Sequence, residues 1–101
     1  MSLTVHISLQ ELCEVDEITE QLIGDIINHG IAKPVEVSGH HDLMFDVAAA
    51  SWIKKAIRLQ RDLDIDWVAV SLVIELLQDK EILEKENKQL QQRLQRFLLE
   101  D

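Results

Sequence analysis

The residues best able to take part in chemistry are the carboxylates of the first half of the chain. Residues 1–50 contain nine Asp or Glu, and Lys33 is their only Lys or Arg. Such a surface repels phosphate backbones and attracts basic patches on proteins. From charge and helix spacing, the candidate partner-binding residues are Asp16, Glu17, Glu20, Gln21 and Asp25. Ile18 or Leu22 are candidate apolar neighbours for such a contact.

Other chemistries have little support in the residue types present. His40, His41 and Asp42 are adjacent, and adjacent residues on a strand point to opposite faces, so they do not form a metal-ligand set. Cys13 is the only cysteine and lies in an apolar stripe with no defined base, which favours a core thiol in a reducing compartment such as the cytoplasm. We therefore predict no enzymatic activity, no metal and no cofactor.

Two short helices position the acidic segment. Ser8 and Glu11 have the S-x-x-E spacing of a capping box, which predicts a first helix over about residues 9–15. Thr19 can cap a second helix, and Gly30 supplies a left-handed stop after it. The carboxylates would then lie on the outer face of this second helix.

The middle of the chain predicts a small wing followed by an amphipathic helix. Apolar residues alternate weakly on both sides of Ser38 and Gly39, which indicates two short strands joined by a turn. Asp46 can cap a third helix over residues 47–63, with a wide apolar stripe. Its cations at 54, 58 and 61 share one face, which is either a solvated surface or a site for an anion or an acidic partner.

The final predicted helix extends beyond the domain to which its first turns belong. Asp66 can cap it, and neither Gly nor Pro follows from Trp67 onward. We predict a winged helix-turn-helix-like domain in residues 1–66 and a dimerisation helix in residues 67–101. No apolar run reaches the roughly 20 residues that span a bilayer, so a membrane span is not expected.

Leucines recur at heptad spacing along this last helix and predict a homodimer. An asparagine at a heptad a position specifies register and pairing at a cost in stability, and Asn87 takes that position. The two helices could run parallel or antiparallel. The predicted dimerisation residues are Val73, Leu76, Leu83, Asn87, Leu90, Leu94 and Phe97.

The order helix, helix, wing, helix, long helix resembles the winged helix-turn-helix of the MerR-like regulators. The segments that carry this resemblance are "ELCEVDEIT", "EQLIGDII" and "GIAKP". The fold class implied is mainly α, a MerR-like winged helix-turn-helix with a small two-stranded wing and a long C-terminal helix. Where MerR-like readers carry an R-x-x-R-Y-Y stretch, this chain has "QLIGDI", without the arginines or tyrosines. A DNA-binding transcriptional regulator is therefore the alternative rather than the preferred function.

A more specific resemblance covers almost the whole chain. The segments "RLQRDLDIDW" and "ENKQLQQRLQRF" are similar to the chaperone modulatory protein CbpM family. This resemblance implies a cytoplasmic regulator that binds the J-domain of CbpA, a DnaJ-like co-chaperone, blocks its stimulation of DnaK and restrains its DNA binding. J-domains engage DnaK through a basic helix, so the resemblance and the acidic first half both suggest competitive masking of that helix.

Overall fold

The computed structural model describes residues 5–15, 17–39 and 42–99. These residues form a mainly helical fold with a two-stranded antiparallel sheet and a long C-terminal helix, which confirms the predicted fold class. The elements are β1 (His6–Ser8), α1 (Leu9–Cys13), α2 (Glu20–Asn28), β2 (Met44–Asp46), α3 (Val47–Leu63) and α4 (Trp67–Leu99).

The first two helices begin where their caps predicted. The Ser8 hydroxyl accepts the backbone N–H of Glu11 at 3.1 Å, and the Glu11 carboxylate accepts that of Ser8 at 3.3 Å. Thr19 caps α2 by accepting a hydrogen bond from the N–H of Leu22 at 3.2 Å. Helix α1 ends at Cys13, two residues short of the prediction, because the next N–H groups bond to carbonyls only three residues back.

The two-stranded sheet is present, but its strands are not the pair predicted on either side of Ser38 and Gly39. Strand β2 pairs instead with β1, and Ile7 lies opposite Phe45. Of the predicted hairpin, only a single bridge between Val35 and Met44 is found in the described residues.

Burial explains why β1 takes the place beside β2. Phe45 is fully buried in the core, and Ile7 packs against the same cluster. The pairing therefore removes apolar surface from water, whereas the polar sequence around Ser38 offers little to bury. The predicted turn residues His40 and His41 lie outside the described residues.

Helix α3 forms the centre of the domain. The Asp46 carboxylate accepts the N–H of Ala49 at 2.7 Å and caps the helix at the predicted residue. Trp52 and Trp67 are partly buried against the core. The fully buried side chains of the core come from α1, α2, β2, α3 and α4: Leu12, Ile23, Ile26, Phe45, Ile53, Val70 and Ile74.

Helix α4 belongs to the core only through its first turns. The Asp66 carboxylate caps it by accepting the N–H of Ala69 at 2.8 Å, and Val70 and Ile74 are buried. Every residue from Asp79 to Leu99 is exposed. The helix has 33 residues, which corresponds to about 50 Å. Among the described residues, no helix is both long and apolar enough to cross a membrane.

Candidate partner-binding surfaces

The outer face of α2 is acidic because its apolar residues point inward. Ile23 and Ile26 are buried, and their helical spacing turns Glu20, Gln21 and Asp25 away from the core. Glu20 and Gln21 are exposed, and Asp25 is half-buried. Neither Lys nor Arg occurs between the two ends of this helix. The face therefore offers carboxylates and an amide without any internal cation to neutralise them.

Glu17 does not share this face, although the sequence analysis placed it there. It lies before α2 in a left-handed backbone conformation with φ of 76°, and its carboxylate forms an ion pair with Arg61 of α3. The hydrogen bond to Asp62 and the charges of Glu17 and Asp62 raise the pKa of the Arg61 guanidinium above its usual value. Glu17 therefore joins a loop to α3. Asp16, the other predicted residue of this loop, lies outside the described residues.

One of the two apolar neighbours predicted for the acidic face, Ile18, is also corrected. Ile18 is only 6% exposed and belongs to the core, so it cannot contact a partner. Leu22 is half-buried and packs against the same core. Ile18 lies in the loop before α2, and Leu22 lies in α2 beside its buried residues Ile23 and Ile26. Ile18 is therefore excluded as a contact, whereas the exposed part of Leu22 is still available to a partner.

A cleft beside the start of α2 places further apolar surface next to carboxylates. It is lined by Leu9, Gln10, Cys13, Glu20 and Asp42 and has a volume of about 290 Å³. We call it the acidic cleft. Two exposed carboxylates stand at its edge, while the half-buried Leu9 and Cys13 contribute apolar surface. This combination suits a basic peptide surface that also carries an apolar side chain.

Sequence reasoning did not connect these residues. The N–H of Leu9 bonds to the carbonyl of Leu43 at 2.9 Å, and this bond holds the segment containing Asp42 beside α1. The alternation of Val5 and Ile7 with polar neighbours was the available signal for the strand that makes this contact. Cys13 was assigned to the core, and it is half-buried at the cleft.

The basic face of α3 is partly neutralised. Arg61 is bound to Glu17 and Asp62, and Lys55 contacts Glu81 of α4 at 3.6 Å and lies 4.4 Å from the centre of the Trp52 ring. These contacts support a structural role for Arg61, one of the three cations that share this face, and for the neighbouring Lys55. No group of three potential metal-ligating side chains occurs within residues 5–15, 17–39 and 42–99.

The predicted dimerisation residues follow one exposed stripe of α4. Leu83 and Leu90 are each 62% exposed, and Phe97 is 77% exposed. An open groove runs along this stripe, lined by Leu76, Asp79, Lys80, Leu83, Glu84 and Asn87. Val73, at the start of the stripe, is half-buried against the domain. Exposed apolar surface of this kind is common at interaction sites of proteins.

The winged helix-turn-helix geometry and the comparison with protein families define the same class of protein. Residues 7–92 match the family described as MerR HTH family regulatory protein. Chaperone modulatory proteins CbpM are also similar: the protein of Pseudomonas putida strain F1 is 36% identical over 96% of this chain and 95% of its own. That of Salmonella paratyphi B is 34% identical with the same shares. This chain belongs to the CbpM family of chaperone modulatory proteins.

Proposed function

We propose that this protein is a non-enzymatic chaperone modulator that binds the J-domain of a CbpA-type, DnaJ-like co-chaperone in the cytoplasm. The observation that carries the proposal is the acidic cleft, in which Glu20 and Asp42 flank apolar surface from Leu9 and Cys13. The relatives are named for chaperone modulation. The basic helix that a J-domain presents to DnaK has the charge that this cleft attracts, so docking there would mask the helix competitively.

The binding energy must come from several contacts together. An exposed ion pair contributes only about 0.2–1 kcal/mol, so Glu20, Asp25 and Asp42 mainly steer and orient the basic helix. Apolar contact in the cleft supplies the part that survives at high salt. Because the screening length falls from about 10 Å at 0.1 M salt to about 3 Å at 1 M, we expect association to slow much more than dissociation accelerates.

A glycine on the outer face of α2 supports docking at this place. Gly24 lies on the same side of the helix as Gln21 and Asp25, and an added Cβ would meet nothing within 4 Å. Glycine in a helix interior costs about 1 kcal/mol relative to alanine. Packing within the chain gives no reason for this cost. Close approach of a partner to the helix surface would give one.

The modulator acts as a homodimer in this proposal, with the exposed stripe of α4 as its interface. An antiparallel pairing places Val73 opposite the partner's Phe97, and Leu76 opposite the partner's Leu94. The two Leu76–Leu94 layers then lie towards the ends of the seam, and Leu83 faces the partner's Asn87 on either side of the centre. Burial of the remaining exposed part of these side chains drives the association.

Charge favours antiparallel over parallel helices. In a parallel pair, Asp79 would face the partner's Glu84, and the two Lys80 side chains would meet in the seam. In the antiparallel pair, Asp79 faces the partner's Arg93 at both ends, and Lys80 lies beside the apolar side chain of the partner's Leu90. Glu84 and Glu86 then face their own copies near the centre, so two attractive pairs stand against two repulsive ones, whereas the parallel pair has only the repulsive contacts named above. Opposite charges at flanking positions select partner and orientation in coiled coils, whereas like charges oppose pairing.

The test of the proposed function uses a charge reversal with a matched control. Glu20→Lys should weaken binding to a purified CbpA J-domain about 2- to 30-fold, because it removes a carboxylate and introduces a like charge at the cleft, each worth about 0.2–1 kcal/mol. Glu75→Lys makes the same change in net charge at an exposed site of α4 and should bind like the parent. At equal concentration, the J-stimulated ATPase rate of DnaK should fall less with Glu20→Lys than with the parent protein, while the basal rate stays unchanged. Equal inhibition by the parent and by Glu20→Lys would show that the J-domain does not dock at the acidic cleft.

The alternative, a DNA-binding regulator, is tested separately. The absence of Lys and Arg from α2 predicts no binding to random duplex in a gel shift at about 50 mM salt, where even non-specific binders show affinity. Micromolar affinity under these conditions would favour the alternative.

A further inference from the structure

A second apolar groove lies between α3 and α4, apart from the exposed stripe. It is lined by Leu59, Leu63 and Leu77, with Lys55, Arg58 and Asp62 at its rim, and has a volume of about 300 Å³. Leu63 is 56% exposed. The acidic cleft does not include this groove, and the predicted heptad seam does not account for it.

Leu77 connects this groove to the seam. It occupies the heptad e position that follows Leu76, on the side of α4 that faces α3. In an antiparallel coiled coil the e positions of both helices lie on the same side of the seam. The side chains that a second copy would present towards α3 are therefore its own e residues, of which Leu98 is the apolar one near the end of the helix.

The position of the groove along the α4 axis also matches the position expected for the partner's Leu98. Lys55 of α3 contacts Glu81 of α4, and the chain reverses direction at Asp64 between these helices. Leu63 follows Lys55 by about two turns of α3, so it lies two turns closer than Glu81 to the start of α4, near Val73. The partner's Phe97 lies opposite Val73 in the antiparallel register, and the partner's Leu98 follows it directly.

We propose that Leu98 of each chain inserts into the α3–α4 groove of a second copy and thereby docks the end of α4 onto the partner's domain. This inference rests on the homodimer proposed above. Leu98 is 68% exposed in the single chain and has no apolar cover of its own. The coiled coil is thus tied to the domain at both of its ends.

The first experiment compares two neighbouring leucines by sedimentation. Leu98→Asp should weaken the dimer at least tenfold. Leu99→Asp makes the same change one residue further on, at the outward-facing f position, and should leave the dimer unchanged. A dimer that Leu98→Asp does not weaken relative to Leu99→Asp would overturn the docking of Leu98, while the homodimer itself would stand.

The second experiment uses disulfides in a Cys13→Ser background. Leu63→Cys combined with Leu98→Cys should form an intermolecular disulfide under mild oxidation, whereas Leu63→Cys with Leu99→Cys should not. Cross-linking of Leu98→Cys alone to its own copy would indicate parallel helices and contradict the proposal. A parent protein that stays monomeric at 100 μM would refute both the homodimer and the docking.

Discussion

Leu94→Glu tests the proposed dimer at its most apolar layer. Leu94 is 58% exposed in the single chain, and the antiparallel register places it against the partner's Leu76. The substitution preserves helix propensity, so the fold of α4 itself should persist. Any loss of association can then be assigned to the contact between Leu94 and the partner's Leu76.

The magnitude follows from the exposed fractions. Full burial of a leucine side chain contributes about 1.5–3 kcal/mol, so burial of the 58% that remains exposed contributes about 1–2 kcal/mol. Each dimer contains this side chain twice, which gives about 2–4 kcal/mol, and a buried carboxylate beside leucine adds a desolvation cost. Since about 1.4 kcal/mol is a factor of ten, the dissociation constant should rise at least about 100-fold.

Sedimentation velocity over 1–100 μM protein measures this change. Ile82→Glu is the matched control, because Ile82 is 55% exposed on α4 and lies at a c position away from the seam. The control should sediment like the parent, with an unchanged circular dichroism spectrum. If Leu94→Glu and Ile82→Glu weaken the dimer equally, the seam does not form the interface.

Three further predictions follow from the same surfaces. Asp79→Arg and Arg93→Asp should each weaken the dimer by about 0.4–2 kcal/mol, because each removes two ion pairs from the dimer. The double variant should restore the dimer. A tighter dimer with Asp79→Arg would instead indicate parallel helices, in which residue 79 faces the partner's Glu84. Gly24→Ala should raise the Tm by about 4 °C or more, because alanine favours the helix and its Cβ has room. Gly24→Leu should be at least as stable as the parent but should bind the J-domain at least tenfold more weakly. Unchanged binding by Gly24→Leu would show that the partner docks elsewhere. A saturating J-domain should slow the reaction of the Cys13 thiol with a disulfide reagent, since Cys13 lines the acidic cleft, and an unchanged rate would argue against docking there.

Local signals in the sequence were sufficient for most helix boundaries. Ser8, Thr19, Asp46 and Asp66 cap helices at the residues where their side chains predicted them, because a cap depends only on neighbours within one turn. The end of α1 was less well determined, since the frayed final turn depends on how the following loop packs.

The sheet and the acidic cleft required long-range information. Both Val35 and Ile7 offered a partner to β2, and burial beside Phe45 decided in favour of β1. This choice brings Asp42 beside α1 and so creates a cleft that no local spacing encodes. The same limit applies to Glu17, whose partner Arg61 is distant in the sequence.

The amino-acid sequence by itself determined the acidic character of the first half, the absence of cations from α2 and the heptad stripe of α4, because composition and periodicity do not depend on packing. Only the tertiary structure decided which of these residues share a surface. It turned Ile18 into the core and Glu17 towards α3, and it left Glu20 beside Leu9 and Cys13. The physical reason is that burial of apolar surface selects among strand partners and loop paths that are nearly equivalent locally, and the position of each charged side chain follows from that selection.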